Sequence, residues 1–349
     1  MLNERGDLIT IIVVNRDRAQ LLRACLAALM RQTHRPLEII VVDNGSTDDS
    51  VTVVEQEFGH FPGVPVRLIR LRENMGFCAA NNRGMAAAKG SFIALLNNDA
   101  EADPEWASAM LAAFHGRPDV GMAASKILVW EDPRRIDKVG HLIYFDGQNR
   151  GRGSGEIDRG QYDTMEEVAW PDGCAAMYRR EMLEQIGGLD EDFFAYADDA
   201  ELGLRARIAG WSCLYVPDAR VRHHRGATLG VRSLRRVELI ERNRILLAAK
   251  LFPWSLLWLN GAFYAARLSA GVWAALMGKG EISHFPGWKG KLRVAMAMAR
   301  ADIEALLLLP KILRKRKSVA RLRKLSRWQL LRLLWKYRIS LRQLSQQSI

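Results

Sequence analysis

The sequence predicts an α/β fold in which a mostly parallel sheet is covered by helices on both faces. Within the first hundred residues, apolar β-rich runs alternate four times with segments of polar or helical character, which is typical of β-α-β units. A polar cluster follows each of the four predicted strands, at the edge where such sheets bind ligands. The sign of the net charge also reverses near residue 231, which predicts two regions with different roles.

Each strand and helix of the first hundred residues follows from its residue pattern. The strands are short runs rich in Ile, Val and Leu, as expected where both faces of a sheet are covered. The first helix carries its apolar residues on one face, and the second begins with Asp and Ser capping residues. The predicted strands are 8–14, 37–46, 66–71 and 92–97, and the predicted helices are 18–32, 48–58 and 74–90.

The middle of the chain is less regular. Residues 121–170 are rich in glycine and charge, which predicts loops and short strands. Beyond them, apolar and helical periods return. The predicted elements there are a strand over 174–178, a helix over 180–186, a helix over 198–209 and a strand over 212–216.

The charge is divided unevenly along the chain. Residues 1–231 contain 26 Lys/Arg and 34 Asp/Glu, a net charge of −8, whereas residues 232–349 contain 25 and 5, a net charge of +20. The four cysteines are far apart and show no metal-binding spacing, which favours free thiols in a reducing compartment. The apolar run over 8–14 is too short for a signal peptide, and a cytoplasmic location is therefore expected.

The fourth strand ends abruptly in a polar cluster, Asn97, Asn98 and Asp99. A solvated loop is the simplest interpretation, and a metal and diphosphate site at the carboxyl edge of the sheet is the alternative. Neither a G-x-G-x-x-G nor a G-x-x-x-x-G-K-[ST] motif is present, which disfavours dinucleotide enzymes and P-loop NTPases.

Five motifs over about residues 7–230 occur in the order found in family 2 glycosyltransferases. They are VVDNGSTDDS, LRENMGFCAANNRGMAAAKG, LLNNDA, DGCAAMYRREMLEQIGGLDEDFFAYADDAELGLRARIAGW and HHRGAT. The sequence resembles the bacterial rhamnosyltransferase-like branch most. The resemblance implies a GT-A fold, which is a Rossmann-like sheet flanked by helices. It also implies a divalent metal, Mg²⁺ or Mn²⁺, and inverting transfer from a nucleotide-diphosphate sugar to a hydroxyl.

The resemblance implies that Asp99 binds the metal. The family's Asp-X-Asp signature is reduced here to Asn97-Asn98-Asp99, so one carboxylate is missing. His223 is expected to supply a second ligand or to contact the diphosphate, and His224 is left open as the alternative. Without the resemblance, Asp99 could merely cap a turn and the histidine pair could belong to a polar loop.

The acidic pair at the start of the helix over 198–209 is the expected catalytic group. The resemblance implies that Asp199 is the base that removes the acceptor's proton, and that Asp198 orients it or binds the acceptor. A simple acidic helix cap is the alternative. The neighbouring aromatic residues Phe193, Phe194 and Tyr196 favour a partly buried cleft wall.

The remaining strand ends are expected to hold the nucleotide sugar. In the family, the position of Asp43 binds the pyrimidine base, although some of these residues could instead stabilise turns. Gly76 and Gly173 are expected at close-approach positions. The residues predicted to contact the donor are Asn15, Asp17, Asp43, Arg72, Asn74, Asn81 and Asn98.

Residues 232–349 are predicted to form a basic, mostly helical membrane-associating region that follows a catalytic region over 1–231. The apolar stretch 251–277 is long enough to span a bilayer, but Arg267 makes spanning costly. The segment from Lys311 to Arg342 carries 13 Lys/Arg and no acidic residue, which favours an anionic membrane surface. A helical oligomerisation domain and nucleic-acid binding are the less favoured alternatives.

The combined hypothesis is a metal-dependent glycosyltransferase, peripheral on the inner face of the cell membrane. The expected donor is dTDP-L-rhamnose, with UDP-sugars as the alternative. The expected acceptor is a membrane-linked glycan or glycolipid of cell-surface polysaccharide synthesis. A catalytically silent nucleotide-sugar-binding or partner-binding module is the competing hypothesis. The enzyme hypothesis requires Asp99 and Asp199 to face one crevice.

Overall fold

One large mixed sheet organises the fold. The computed structural model describes residues 7–225, 233–277, 285 and 287–346. In this part of the chain the strands are β1 Ile9–Asn15, β2 Leu37–Asn44, β3 Val66–Leu71, β4 Phe92–Leu96, β5 Ala100–Ala102, β6 Val120–Val129, β7 Ile136–Lys138, β8 His141–Ile143, β9 Asn149–Gly151, β10 Glu166–Glu167, β11 Ala175–Arg179 and β12 Ser212–His223.

The strand order is β10-β12-β6-β11-β4-β1-β2-β3, with β5 beside β12 and β7 beside β6. The first four predicted strands form a parallel group, in which Asn15 lies beside Asp43 and Asp43 beside Arg70. Because parallel strands end at one edge of a sheet, their polar clusters are brought together there. The predicted α/β fold is confirmed.

The second half of the sheet is built differently. Strand β11 runs antiparallel between β4 and β6, and β12 runs parallel to β6. The prediction of loops and short strands over 121–170 is wrong for β6, whose ten residues form a central strand. Its sequence lacks the alternation of a half-exposed strand because both faces are buried,.

The helices cover both faces of this sheet. The first three are α1 Ala19–Met30, α2 Ser50–Val53, which continues as a π-helical turn to Phe58, and α3 Phe77–Ala87. Neighbouring side chains of β1 point to opposite faces of the sheet. Ile11 packs in the apolar core under α1, and Ile12 packs in the core under α3. The later helices of this region are α4 Trp106–Ala112, α5 Arg180–Ile186 and α6 Asp198–Ile208.

The C-terminal part is helical. Leu246 and Leu247 belong to the same apolar core as Ile12, so the first of these helices packs on the sheet region. Ala297, Ala301 and Ala305 are buried at four-residue spacing, which lets neighbouring helices approach closely. These helices are α7 Leu234–Leu251, α8 Trp254–Leu276, α9 Gly287–Leu322, α10 Arg327–Lys336 and α11 Leu341–Gln346.

The predicted boundary between residues 231 and 232 lies outside the described residues and stays a prediction. Within the described part of the chain, no helix combines the length and the apolar character needed to cross a bilayer. Arg267, which interrupts the apolar stretch of α8, is paired with Glu241 and Asp146 at 2.7 and 2.5 Å.

Candidate active site

A cavity of about 300 Å³ opens at the carboxyl edge of the central strands,. Asp99 and Asp199 both line it, so the crevice that the enzyme hypothesis requires is present. Its walls come from the turn after β4, the β8–β9 hairpin, the start of α6 and one side of α7. Its other charged lining residues are Asp137, Lys138, His141, Arg150, Asp172, Asp198, His223, Arg225, Arg236 and Arg244.

Asp99 and His223 meet because β12 extends well beyond its predicted end at residue 216. His223 pairs with Ala100 of β5 in the sheet, which places its ring beside the turn that carries Asp99. The distance from His223 Nε2 to Asp99 Oδ1 is 3.4 Å. Both side chains are buried, and Asp99 Oδ1 accepts no hydrogen bond from the described residues.

The His223 ring is held from behind by a second carboxylate. Its Nδ1 lies 2.7 Å from Asp137 Oδ2, and Asp137 in turn lies 3.0 Å from Arg225 Nε. Burial works to lower the pKa of His223, but Cys174, Asp137 and Asp99 together raise it well above its usual value. This arrangement directs Nε2 toward Asp99.

His224 takes a different direction. Its ring stacks on Trp130 with 4.3 Å between the centroids, and its Nδ1 lies 3.8 Å from Glu131. The backbone N–H of His224 donates to the Asp99 carbonyl, whereas its ring contacts Trp130 and Glu131. Of the two histidines, His223 is therefore the one that faces Asp99.

Asp198 and Asp199 form the first turn of α6. Asp199 Oδ1 accepts from the backbone N–H of Ala200 at 2.7 Å, and its Oδ2 accepts from that of Gly173 at 3.3 Å. Burial, followed by repulsion from Asp199, raises the pKa of Asp198 well above its usual value. The pair thus combines a carboxyl whose charged form is disfavoured by burial with one whose oxygens accept backbone hydrogen bonds.

The sequence analysis missed a cluster that contacts Asp199. His141 Nε2 lies 3.3 Å from Asp199 Oδ2 and 2.8 Å from Asp172 Oδ2, while Lys138 Nζ lies 2.6 Å from the same Asp172 oxygen. Burial works to lower the pKa of His141, but Asp199 and Asp172 raise it to about 9. His141 therefore carries a positive charge beside Asp199 at neutral pH.

This cluster also has the spacing of a metal site. Ligand atoms of His141, Asp172 and Asp199 all lie within 4.8 Å of one another. The Lys138 ammonium, however, already neutralises Asp172 at 2.6 Å, and a divalent cation there would meet its repulsion. The Asp99–His223 pair, whose nearby Arg225 is bound to Asp137, is the better-suited position.

Four of the seven residues predicted to bind the donor meet around Ser46. Asn98 donates to Asn15 Oδ1 at 2.6 Å, and Asn15 donates to Ser46 Oγ at 3.4 Å. The backbone N–H of Asp17 donates to the same hydroxyl, and that of Ser46 donates to Asp43 Oδ2. Asp43 Oδ1 is buried and accepts nothing within the described residues, which leaves an acceptor for a ligand.

The other three residues predicted to bind the donor, Arg72, Asn74 and Asn81, lie after β3 and in α3. Asn74 accepts from Asn44 and from the Gly76 backbone at 3.0 Å each, and Arg72 is exposed after β3. Asn81 is buried in α3 and donates to the Phe77 carbonyl. None of the seven lines the cavity that contains Asp99, and their roles stay predictions.

Gly76 and Gly173, the two glycines expected at close-approach positions, differ in how closely their neighbours approach. A Cβ on Gly76, whose φ is +87°, would lie 2.5 Å from the Phe194 ring, so the expected close approach exists. At Gly173 the nearest atom to a Cβ would be 3.7 Å away, an ordinary contact. The expectation for Gly173 is wrong, and its backbone N–H serves Asp199 instead.

Comparison with known proteins identifies the class. The sequence model described as Glycosyl transferase family 2 matches residues 9–187, and the chain belongs to this family of glycosyltransferases. A solved structure of GalNAc-T7 with UDP, GalNAc and Mn²⁺ covers 71% of this chain and 48% of its own with a TM-score of 0.58 at 15% identity. At that identity it supports the GT-A fold alone.

Two relatives each match about two thirds of this chain. An N-acetylglucosaminyl-diphospho-decaprenol L-rhamnosyltransferase of Mycobacterium tuberculosis is 28% identical over 64% of this chain and 78% of its own length. The uncharacterized protein y4gI of Sinorhizobium fredii is 30% identical over 65% of this chain. The match spans only 25% of that second relative's length. The predicted rhamnosyltransferase-like resemblance is confirmed.

Proposed function

We propose that this protein transfers a sugar, with inversion, from a nucleotide-diphosphate donor to a hydroxyl of a lipid-linked acceptor. The observation that carries the proposal is that Asp99 and Asp199 line one cavity. A glycosyl transfer requires neutralisation of the leaving diphosphate and removal of a proton from the attacking hydroxyl. The two carboxylates are available for these separate tasks.

The residues around Asp99 fit a divalent cation. Asp99 Oδ1 is buried without a hydrogen bond from the described residues, and His223 directs Nε2 toward it. The carboxylate of Asp137 on Nδ1 supplies the outer support that ligating histidines usually have,. Asp99 and His223 would hold Mg²⁺ or Mn²⁺, which when bound neutralises the diphosphate.

Asp199 acts as the base in this proposal. Its carboxylate takes the proton from the acceptor hydroxyl while that oxygen forms a bond to the anomeric carbon. The bond between the anomeric carbon and the diphosphate oxygen breaks, and its electron pair leaves with the nucleoside diphosphate. His141 stabilises the ionised form of Asp199 until the proton arrives,.

The relatives suggest which substrates to test first. The M. tuberculosis relative is named for L-rhamnose transfer to an N-acetylglucosaminyl-diphospho-decaprenol. We assign dTDP-L-rhamnose as the leading donor and a diphosphate-linked lipid as the leading acceptor. UDP-sugars are the next candidates. The network around Ser46, with the open oxygen of Asp43, would bind the pyrimidine base.

The C-terminal helices present a surface suited to a membrane. Trp258 and Leu307 are 87% and 76% exposed, and Trp273 and Trp328 are 67% and 76% exposed. Exposed tryptophans in a region with a net charge of +20 suit the interface of an anionic bilayer. We propose that this surface docks the enzyme on the inner face of the membrane, where a lipid-linked acceptor would be found.

The transfer proposal is tested with a panel of nucleotide sugars. The full chain should release dTDP from dTDP-L-rhamnose with Mn²⁺ or Mg²⁺, and EDTA should abolish the release. Asp99→Asn should have the same effect, whereas Asp103→Asn, four residues along, should remain active. Donor binding without release from any sugar in the panel would favour the silent binding module instead.

The docking proposal is tested by flotation with vesicles of phosphatidylglycerol or of phosphatidylcholine alone. The full chain should float with the anionic vesicles only, and Trp258→Ser with Leu307→Ser should weaken this. Met165→Ser removes an exposed apolar side chain from the sheet region and serves as the control. Equal flotation with neutral vesicles would contradict an electrostatic surface interaction. Removing whole helices is not a suitable test because α7 and α9 contribute to the core.

A further inference from the structure

The turn that precedes the acidic pair has an unusual backbone. Phe194, Tyr196 and Ala197 have φ values of +64°, +69° and +55°. Residues other than glycine rarely adopt this region, and they persist in it only when their surroundings hold them there. Three such residues immediately before Asp198 mean that something outside the turn fixes its conformation.

That external support is Asn243, in the middle of α7. Its Nδ2 donates to the carbonyls of Phe193, Ala195 and Tyr196 at 2.8 Å each. Asn243 is fully buried, so water cannot replace these bonds without a rearrangement. The two N–H groups of this amide are thus shared among three carbonyls of the strained turn.

The orientation of this amide is also determined. Arg242 Nε donates to Asn243 Oδ1 at 2.9 Å, which leaves Nδ2 facing the turn. A second nitrogen of Arg242 donates to the Phe193 carbonyl at 2.9 Å, and a third pairs with Glu304 of α9. The support therefore extends from the turn through α7 to α9.

The end of the turn starts α6. The Ala197 carbonyl accepts the first hydrogen bond of that helix, from Glu201, and no side chain caps the helix there. The direction in which Asp198 and Asp199 enter the cavity is consequently set by the turn. A different turn conformation would displace the Asp199 carboxylate from Gly173 and His141.

We infer that Asn243 is a positioning residue for Asp198 and Asp199, so that a helix beyond the family-matched region completes the active site. This inference rests on the proposed function, because it assumes that Asp199 is the base. Asn243 does not touch the reacting atoms. It holds the turn in the one conformation that aims Asp199 at the acceptor hydroxyl.

The test compares Asn243→Asp with Asn260→Asp in the full chain. Aspartate has the size of asparagine but presents oxygens to the three carbonyls, so the turn should lose its support. Asn260 of α8 also donates to a loop carbonyl, that of Phe145 at 3.3 Å, but it is not bonded to the strained turn. Asn260→Asp therefore controls for the replacement of an asparagine in the C-terminal helices by aspartate.

We expect Asn243→Asp to lower kcat about 100-fold, as small displacements of catalytic groups do. The donor KM should change less than kcat does, because Asn243 is bonded to the turn and not to the donor network,. Hydrogen exchange of amides 195–200 should accelerate in Asn243→Asp and not in Asn260→Asp. The exchange measurement does not depend on turnover.

Normal kcat in a folded Asn243→Asp protein would overturn the inference, and so would a lower kcat with unchanged exchange over 195–200. Absence of transfer in the unmodified protein would refute the proposed function alone, because the exchange result would still decide the role of Asn243. If Asn243→Asp does not fold, the smaller, uncharged Asn243→Ser replaces it with the same expectations.

Discussion

The cavity and the interface between the sheet region and the C-terminal helices place the buried carboxyls of Asp198 and Asp190 in opposite surroundings. In the cavity, Asp198 has the Asp199 carboxylate as its neighbour, and burial and that charge raise its pKa. At the interface, Asp190 lies 2.5 Å from Lys250. Burial alone would raise the pKa of Asp190, but Lys250 and Lys315 lower it to about 2.

Glu241 of α7 follows the interface pattern. Burial is outweighed by Arg267 and Arg244, which lower the pKa of Glu241 to about 2. The interface carboxylates Asp190 and Glu241 are thus each bonded to two basic side chains, and these buried ion pairs join helices,. In the cavity, Asp172 is similarly paired with Lys138 and His141, whereas Asp198 has a carboxylate as its neighbour, which is typical of catalytic sites. The basic excess of residues 232–349 is therefore used in part inside the molecule.

The strongest test of this contrast is Asp199→Asn. Loss of the base should lower transfer by about 10³-fold or more, within the range of general-base catalysis. Donor binding should persist, since Asp199 does not contact the donor network. Steady-state kinetics and a titration with dTDP measure the two effects.

Asp198→Asn is the matched variant. Because burial and the Asp199 charge raise the pKa of Asp198 well above its usual value, a neutral amide is a close substitute, and the loss should be about tenfold or less. Equal losses for both variants would show that the pair acts as a unit. A fully active Asp199→Asn enzyme would remove the assignment of the base.

Asp190→Asn tests the interface. It leaves Lys250 buried with only Glu201, 2.7 Å away, as a partner, and should lower the free energy of unfolding by about 3 kcal/mol at neutral pH. Urea denaturation measures the change. Asp119→Asn is the control, because the pKa of Asp119 is also lowered to about 2, first by a hydrogen bond from Arg117, but that pair is exposed and should contribute less than about 1 kcal/mol.

The same variant predicts a pH dependence. The pKa of Asp190 is about 2 in the folded protein against 3.8 as its ordinary value. Its stabilising contribution is therefore present above pH 3.8 and is lost as the pH falls toward 2,. Asp190→Asn should flatten the stability curve in that window, and an unchanged curve would contradict the ion-pair interpretation.

His141→Gln should have a smaller effect, about tenfold on kcat at neutral pH, because it removes one favourable charge beside Asp199. In the unmodified enzyme His141 loses its proton near pH 9, and the fall in activity there should disappear in the variant. His115→Gln, at an exposed position, should leave the profile unchanged.

The sequence was sufficient to predict the repeated strand–helix units of the first hundred residues. The apolar character of four strands predicted the parallel half of the sheet. The polar residues that follow these strands predicted the edge of the sheet at which the site lies. Asp99 and Asp199 could be brought together because ordered motifs indicated one fold. The preference for His223 over His224 rested on the same motifs, and the structure directs only His223 toward Asp99.

The missed residues have no local pattern. Lys138 and His141 lie on short strands inside a segment rich in glycine and charge, and they reach Asp172 only through the folded sheet. Asn243 looks like an ordinary polar residue in a basic helix, and its three bonds depend on a turn that is distant in sequence. Such contacts are formed by tertiary packing, which periodicity cannot indicate.

Gly76 and Phe194 have a further consequence for motion. The aromatic ring occupies the volume in which any larger residue at position 76 would stand, and the N–H of Cys78 donates to the Phe194 carbonyl. The start of α3, next to the donor network, and the turn before Asp198 are thus mechanically joined. A displacement of α3 on nucleotide binding would therefore also displace the turn before Asp198, which couples the donor network to the positions of Asp198 and Asp199.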